Sequence, residues 1–572
     1  MEKSIKYFFI IFLLFIIFFS LSTNLPRRHR GGFLSDESTY FSITQSLAYD
    51  YDLKYTRKDI VRIKERFWVG PTGLFLKKGK NGNLFYAKSF AYPIFAAPFF
   101  RIFDVNGLLL FNGLMLFFSF FMAYLLLKQL YSKKKSFLFS AVFIFASITP
   151  IYISWLTADL FNFFTMFAGL FFFFYKFKKP NWFYLAALFF SSAVFSKPSC
   201  IIPVGIIFLI LIIKKQYKKF ILISLISIIL CLSFVFFLYL QTGEINFMGG
   251  ERKTFHGKYP FEKPQYTFED GYKMSADNYW QRFYISPKVA ILNLFYYFFG
   301  RFTGMFIYFS PAFFLFIIFF FQKKIPEDWL ILFAITISIL VFTLITPENY
   351  FGGCGSIGNR YFLTIFPLFF FLGYKNRFFK FSLLPVFISV LFLSGVYIDS
   401  FSHSIYTRQA GLSFPIKLFP PEKTQYQTLQ TNENPRAFGK LLRHGKKKYW
   451  IHFLNDNFYS IEENSFWTNS NKELELFLAT PKKVKQFEIE LTNSPVKNRV
   501  FFQIESQKKK VNLKPHQMSI ITFKKIDGLK IRERYVYHIK IKSSESFCAY
   551  FNNPTSNDKR ILGIKTHIGF DY

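Results

Sequence analysis

The stretch Phe220–Leu240 reads FILISLISIILCLSFVFFLYL, and Lys214, Lys215, Lys218 and Lys219 stand just before it. It carries no charge over the roughly 20 residues that a hydrocarbon core requires. A helix of this sequence is apolar on every side, so it has no face to offer water. It reads as a membrane span whose first end is held at the cytoplasmic side by the lysines.

Working outward, the same pairing of basic linker and apolar run recurs. Basic linkers fall at Lys128–Lys135, Lys176–Lys179, Lys214–Lys219, Lys323–Lys324 and Lys375–Lys380. Each is assigned to the inside, so the chain must leave and return between successive linkers. Ser136–Tyr175 accommodates two spans. Asn181–Ile213 is tight for two and is broken at Lys197-Pro198, so it is two short helices or a re-entrant hairpin. Phe299–Phe321 returns, Trp329–Ile345 leaves, Tyr361–Tyr374 returns and Phe378–Ile398 leaves for the last time. At the start, Tyr7–Leu21 follows Lys3 and Lys6 but lacks a small-residue cleavage site, which favours a retained first helix over a signal peptide. Phe90–Phe103 is short and contains Pro93, Pro98 and Arg101. Leu108–Leu127 is therefore the span, and Phe90–Phe103 an interfacial or re-entrant helix. The expectation is a polytopic α-helical protein of the cytoplasmic (inner) membrane, with about 11 spans, N-terminus inside and C-terminus outside. Outside loops fall at about 26–89, 241–290 and 347–360. The 241–290 loop is expected to form short helices on the membrane surface.

Composition agrees. Of 572 residues, 52% are hydrophobic, 88 are Phe and 18% are charged, with mean hydropathy +0.24. Soluble domains carry about 25% charged residues. Disorder, collagen and coiled coil are excluded. The net charge of +37 accompanies abundant Phe, Ile, Lys, Asn and Tyr, the bias of an AT-rich coding sequence. Basic residues lie in short clusters between apolar runs, which argues against nucleic acid as a partner. Four Cys are too few for a disulfide scaffold. Cys200 and Cys231 fall in spans; Cys354 and Cys548 fall outside, where they could pair. The eight His are scattered without metal-ligand spacing, and no GxGxxG, Walker A, HExxH or GxSxG pattern occurs.

The pattern changes after Ser400. Residues 401–445, with Phe419-Pro420-Pro421 and Asn434-Pro435, read as a linker. Beyond them apolar residues alternate at period two in Leu474–Leu478, Phe487–Leu491, Val500–Ile504, Ile520–Phe523 and Tyr535–Ile541. Turns such as Asn493-Ser494-Pro495 and Asp527-Gly528 separate them. Residues 446–572 are thus expected to form an extracytoplasmic all-β sandwich.

Most of the remaining polar residues of interest fall on the outer side. Asp36-Glu37 opens Asp36–Tyr40 after Ser35. Adjacent carboxylates can serve as general base, hold a divalent cation, or follow a helix cap at Ser35. Asp159 lies about one turn below the outer end of a span, an expensive place for an acid. Lys88, Lys197, Arg301 and Arg360 share that side, the last closing the Gly-rich run Gly352–Arg360. Arg grips phosphate bidentately and Lys acts on it as a point charge. Each alone reads equally well as a lipid-headgroup anchor. As a set they suit a lipid-linked anionic substrate.

The order of these features resembles the GT-C superfamily of membrane glycosyltransferases. One span, an outer loop opening with Asp-Glu, a Lys–Tyr–Pro segment, an acid at an outer helix start, Gly-Arg-x-x-Gly and Asn-Arg-Tyr follow in turn over about residues 1–400. The likeness is greatest to the branch of protein O-mannosyltransferases and lipid A aminoarabinose transferases. The resemblance implies inverting transfer from a polyprenyl-phosphate sugar to a lipid, glycan or protein acceptor on the extracytoplasmic face. It implies that Asp36 is the general base, that Glu37 orients it or the acceptor, and that Asp159 is a second acid. Lys88, Arg301, Arg360 and Lys197 would neutralise the donor phosphate. Tyr40, Tyr92 and Asn359 would bind substrate. A divalent metal, where one takes part, would sit on Asp36 and Asp159. The Lys–Tyr–Pro segment departs from the pattern in lacking a double proline. Phe458–Thr468 and Asn557–Gly563 resemble the ends of carbohydrate-binding sandwich modules, in which Trp467 either stacks on sugar or fills the core. Three other functions compete. A lipid-linked glycan transporter would need charges along a central path. A polyprenyl-linked glycan polymerase or ligase would act at the same face, and a non-catalytic glycan binder would need only the tail.

Overall fold

A helix stands on each apolar run in the computed structural model, which describes the chain except for residues 1–2, 26–32, 34, 68–69, 80, 248–250, 274–285, 354, 374–382, 430–439, 460 and 554. The basic linker Lys375–Lys380, Cys354 and the Asn434-Pro435 turn lie outside the described residues. The chain divides into two units. One comprises residues 1–281, 303–345 and 355–405; the other comprises 282–302, 346–354 and 406–572.

The first unit is mainly helical. Lys3–Ser22, Val105–Leu127, Tyr217–Thr242 and Pro326–Ile345 are long and apolar enough to cross a membrane. Along Tyr217–Thr242, Ile221, Ile228, Leu232, Phe236 and Leu240 are exposed. Apolar surface of that extent is stable against lipid, not water, so the chain is a membrane protein. Shorter apolar helices are Ala91–Phe103, Asp159–Phe174, Pro198–Ile213, Ser310–Phe320, Arg360–Gly373 and Leu383–Ile398. The run Ser136–Tyr175 is covered by Lys133–Phe145 and Asp159–Phe174, joined through a 3-10 turn, Thr149–Ser154. Residues 181–213 are two helices, Leu185–Ser196 and Ile201–Ile213. Pro198 disfavours helical geometry at the residue before it, and Lys197 is extended at φ −141° and ψ 97°.

Two expectations need correction. Phe299–Phe321 is not one helix but Met305–Tyr308 followed by Ser310–Phe320, and a further helix, Pro287–Phe299, begins inside the expected outer loop. That 241–290 loop also forms strands rather than surface helices alone. Strands β1 (Leu74–Lys78), β2 (Leu84–Tyr86), β3 (Arg252–Phe255) and β4 (Tyr272–Lys273) make one antiparallel sheet, ordered β2-β1-β3-β4. Leu76 faces Tyr86 and Leu74 faces Phe255. The β1–β2 turn needs Gly82, whose φ of +76° is cheap only for glycine. The loops at 26–89 and 241–290, far apart in sequence, therefore share a sheet.

The second unit carries the all-β region. Its strands are β5 (Lys440–His444), β6 (Lys447–Phe453), β7 (Ser465–Asn469), β8 (Leu474–Thr480), β9 (Gln486–Asn493), β10 (Asn498–Ile504), β11 (Gln507–Leu513), β12 (Met518–Lys524), β13 (Leu529–Ile531), β14 (Arg534–Ser543), β15 (Phe547–Cys548) and β16 (Ile561–Asp571). A seven-stranded sheet runs β11-β10-β14-β8-β6-β5 with β13 on β14. A five-stranded sheet runs β12-β9-β16-β15 with β7 on β16. Tyr449, Leu476, Leu478 and Ile539 of one sheet share a core with Phe487, Ile489, Leu491 and Ile568 of the other. The period-two alternation is the cause: one face of each strand is apolar and must be covered. Strand β5 starts within the stretch read as a linker.

Candidate functional site

Four segments of the first unit bring their polar residues together. Asp36 is the first residue of the helix Asp36–Tyr49. Ser35 stands at its N-cap position but makes no side-chain cap bond, and it has a φ of +56°. Its N–H donates to the Thr72 carbonyl at 2.6 Å. This close pass requires Gly73, where an added Cβ would lie 2.7 Å from Ser35 Cα. The turn around Gly73 thus fixes where the helix, and Asp36, begin.

Asp36 is clamped by two cations. Lys88 Nζ lies 2.8 Å from Oδ1 and Arg360 Nη1 lies 2.8 Å from Oδ2. Lys88 also sits 4.7 Å from the Phe75 ring centre. Arg360 begins the helix Arg360–Gly373, and Asn359 caps that helix by accepting the Phe362 N–H at 3.0 Å. Arg360 Nη1 lies 3.9 Å from Asp159 Oδ2. Asp159 opens its own helix and accepts from Thr157 Oγ1 at 2.7 Å. Glu37 accepts the Leu156 N–H at 3.0 Å, tying the Asp36 helix to the turn that presents Asp159. Asp36, Lys88, Asp159 and Arg360 side chains are each at most 18% exposed.

Burial alone would raise the Asp36 carboxyl, but Lys88 and Arg360 more than offset it and hold it well below the usual carboxylate range. Tyr40, one turn along the same helix, is pushed above its ordinary value by burial and then by the Asp36 and Asp159 carboxylates. Tyr92 meets Tyr40 edge-on, with ring centres 5.9 Å apart.

Two donors at this site have no partner among the described residues: Asn359 Nδ2 and Arg360 Nε. A buried donor left unmade costs about 1–3 kcal/mol. Lys197 adds a cation. Its Nζ donates to Thr364 Oγ1 at 3.1 Å and lies 4.0 Å from the Tyr361 ring centre. Among the described residues no ion pair is made by Lys197. Thr157, Tyr361, Thr364 and Phe75 were not legible as site residues. Their one signal is adjacency to Asp159, Arg360 and Lys88 in sequence or fold.

Arg301 belongs to the second unit, where Nη1 and Nη2 bind the Glu475 carboxylate at 2.6 and 3.1 Å and Nε donates to the Phe419 carbonyl at 2.9 Å. Both side chains are buried. The bidentate edge a phosphate would need is held by Glu475, so the expected phosphate role is corrected to a structural one. In the sandwich, Arg560 joins the two end segments by binding Glu462 and Asp558 at 2.7 and 2.9 Å. Trp467 is half-buried on β7.

The donor set does not suit a divalent metal. Each Asp36 oxygen already faces a cation, and the Arg360 guanidinium lies beside both Asp36 and Asp159. A second cation there would meet charge repulsion. Among the described residues no group of three ligating side chains occurs. Of the cysteines, Cys200, Cys231 and Cys548 are free thiols.

Comparison of the chain with family models, with curated proteins and with solved structures finds no match.

Proposed function

We propose that the chain is an inverting, GT-C-like glycosyltransferase that moves a sugar from a polyprenyl-phosphate donor to a lipid, glycan or protein acceptor on the extracytoplasmic face. The observation that carries this reading is the clamp itself. One ionised carboxylate is held between two cations, with orphan donors Asn359 Nδ2 and Arg360 Nε beside it. The reading includes about 11 spans with the Asp36 loop and the sandwich outside.

In this reading the donor phosphate binds Arg360, Lys88 and Lys197, and the orphan donors gain acceptors. Arg360 then shares its charge between phosphate and Asp36. Asp36 loses part of its stabilisation, its pKa rises toward the ordinary carboxylate range, and it becomes a stronger base. The acceptor hydroxyl or amine attacks the anomeric carbon as Asp36 takes its proton. The sugar–oxygen bond to phosphate breaks, and the electron pair leaves on the phosphate. Lys88 and Arg360 neutralise that developing charge. Asp159 holds Arg360 in place, and Glu37 holds the Asp159 turn.

The test is sugar transfer in reconstituted membranes, with labelled polyprenyl-phosphate sugars and host membrane extract as acceptor. Wild type should transfer label and Asp36→Asn should lose at least about 10²-fold. Equal transfer by both proteins would remove Asp36 as the base. Binding of the lipid-linked sugar without transfer by either protein would favour the transporter or polymerase reading.

A further inference from the structure

The loops at 26–89 and 241–290 enclose a cleft of about 430 Å³ that shares no lining residue with the Asp36 clamp. That volume falls within the range of small-molecule sites. Three walls form it. Residues 54–57 lead into the helix Arg57–Arg66, which Thr56 caps by donating its N–H to Asp59 Oδ2 at 2.8 Å. The Tyr55 N–H donates to the Leu84 carbonyl at 2.8 Å, which fixes this wall to β2. The second wall is the β1–β2 turn, closed by the Gly79 N–H on the Asn83 carbonyl at 2.9 Å and carrying Asn81 and Asn83. The third is Phe261, from the other loop.

Phe261 is held there at a cost. Its φ is +66°, in the left-handed region that a bulky side chain adopts only under constraint. Its ring is nevertheless 45% exposed, so burial of the side chain does not account for the strain. Its neighbours hold the turn in place. Tyr55 Oη donates to the Pro260 carbonyl at 3.1 Å, and Lys64 pairs with Glu262. The Tyr55 and Phe261 rings stack with centres 6.0 Å apart. Strain that displays an aromatic ring beside a cleft points to a ligand for that ring.

The polar lining has one sign of charge. Lys54, Arg57, Asn81 and Asn83 are exposed, and among the described residues their side chains make no ion pair or hydrogen bond within the protein. No carboxylate lines the cleft among the described residues. Two cations call for an anion, and the planar fork of Arg57 matches a carboxylate or phosphate. The two amides both donate and accept, which suits hydroxyl groups. Phe261 offers an apolar face. We propose that this cleft binds an acidic sugar, a uronate or a sugar phosphate. Its acid group lies on Lys54 and Arg57, its hydroxyls on Asn81 and Asn83, and its C–H face on Phe261. The site stands independently of the transfer reaction proposed for Asp36, since none of its residues belongs to the clamp.

The test is isothermal titration calorimetry at low salt on the full chain, in a detergent without a sugar headgroup. The titrants are D-glucuronate and D-glucose-6-phosphate, with D-glucose and inorganic phosphate as controls. At least one acidic sugar should saturate the protein with Kd about 1 mM, which a ligand of that size reaches at an open site. Both controls should bind more weakly by about tenfold or more. Lys54→Met with Arg57→Met should weaken the acidic sugar by more than about tenfold. Phe261→Gly should weaken it by about five- to tenfold and still unfold within a few degrees of wild type, because glycine takes a positive φ without strain. Where that variant unfolds early, Phe261→Asn, which also tolerates the left-handed region, gives the same reading. Lys197→Met should bind the acidic sugar as wild type does. The proposal is overturned by failure of both acidic sugars to saturate, by equal affinity for either control, or by wild-type affinity in the Phe261 variant. Loss of binding in Lys197→Met would place the sugar at the clamp and overturn it too.

Discussion

Arg301 separates a structural role from a catalytic one. Arg301→Met removes two charge-assisted bonds to Glu475 and one to the Phe419 carbonyl. It leaves Glu475, which is 0% exposed, with His538 Nε2 at 2.7 Å and Lys540 Nζ at 3.5 Å. Breaking a buried pair at one end costs about 3–5 kcal/mol. His538 remains to share the charge, which places the expected loss near about 3 kcal/mol. For a domain of 150–250 residues this is roughly 6–12 °C in unfolding temperature. The assay is thermal unfolding of the detergent-purified chain, followed by its β-sheet signal, beside sugar transfer per folded molecule. Transfer should stay within about twofold of wild type. In the double variant Arg301→Met with Glu475→Met, most of the loss should return, because apolar replacement of a whole buried pair is often neutral. Burial would raise Glu475, but His538 and Arg301 hold it below the usual carboxylate range. The stability it contributes is therefore present above its unfolded pKa, about 4, and falls away as pH drops below that. An unfolding temperature unmoved by Arg301→Met, with transfer abolished, would refute this account and return Arg301 to the phosphate.

Lys197→Met keeps the contact with Tyr361 but removes the charge. It should lower kcat/KM for the lipid-linked donor by about 10–100-fold, the worth of a charged hydrogen bond, and an unchanged value would detach Lys197 from the donor. Gly73→Ala forces Ser35, and with it Asp36, to shift. Transfer should fall by about 10²-fold, as misplacement by about 1 Å does elsewhere, while Gly257→Ala, in open space, should leave transfer near wild type. Burial pushes Asp59 up to about 6, against the bonds it accepts from Thr56. The folded pKa lies above the unfolded one, so the native state binds the extra proton and stability falls as pH rises from about 4 to about 6. Asp59→Asn should match wild type near pH 4 and exceed it by up to about 3 kcal/mol above pH 6 in thermal unfolding; equal curves at both ends would show that Asp59 titrates normally.

What the sequence made legible follows from the range of the forces involved. The runs around Phe220–Leu240 and Leu108–Leu127 declare themselves because lipid tolerates no local exception. The alternation in Leu474–Leu478 does so because a sheet covers one face at a time. Asp36, Lys88, Asp159 and Arg360 stood out because each is costly where it lies. Their meeting was not legible: nothing local to Lys88 or Arg360 says that both face Asp36. Arg301 was misplaced for the same reason, since its partner Glu475 stands in a strand that alternation alone marks as half-buried. The β1–β3 pairing escaped notice because its strands are short and far apart in sequence. Lys77 and Lys253 are both buried on that sheet, which nothing in their local sequence announces.

The clamp also explains why the acids and bases of this site can wait in a dry place without substrate. A lone buried carboxylate would take up a proton, and a lone buried ammonium would lose one. Asp36 between Lys88 and Arg360 does neither, so the charges persist until an anion competes for the cations. Arg360 Nε and Asn359 Nδ2 are donors without an acceptor among the described residues, and Lys197 faces a hydroxyl and a ring rather than a carboxylate. Donors in want of an acceptor beside three cations are matched by a ligand that brings oxygens and negative charge. Those donors, rather than the presence of an Asp-Glu pair, are what supports the proposal of a phosphate-bearing donor.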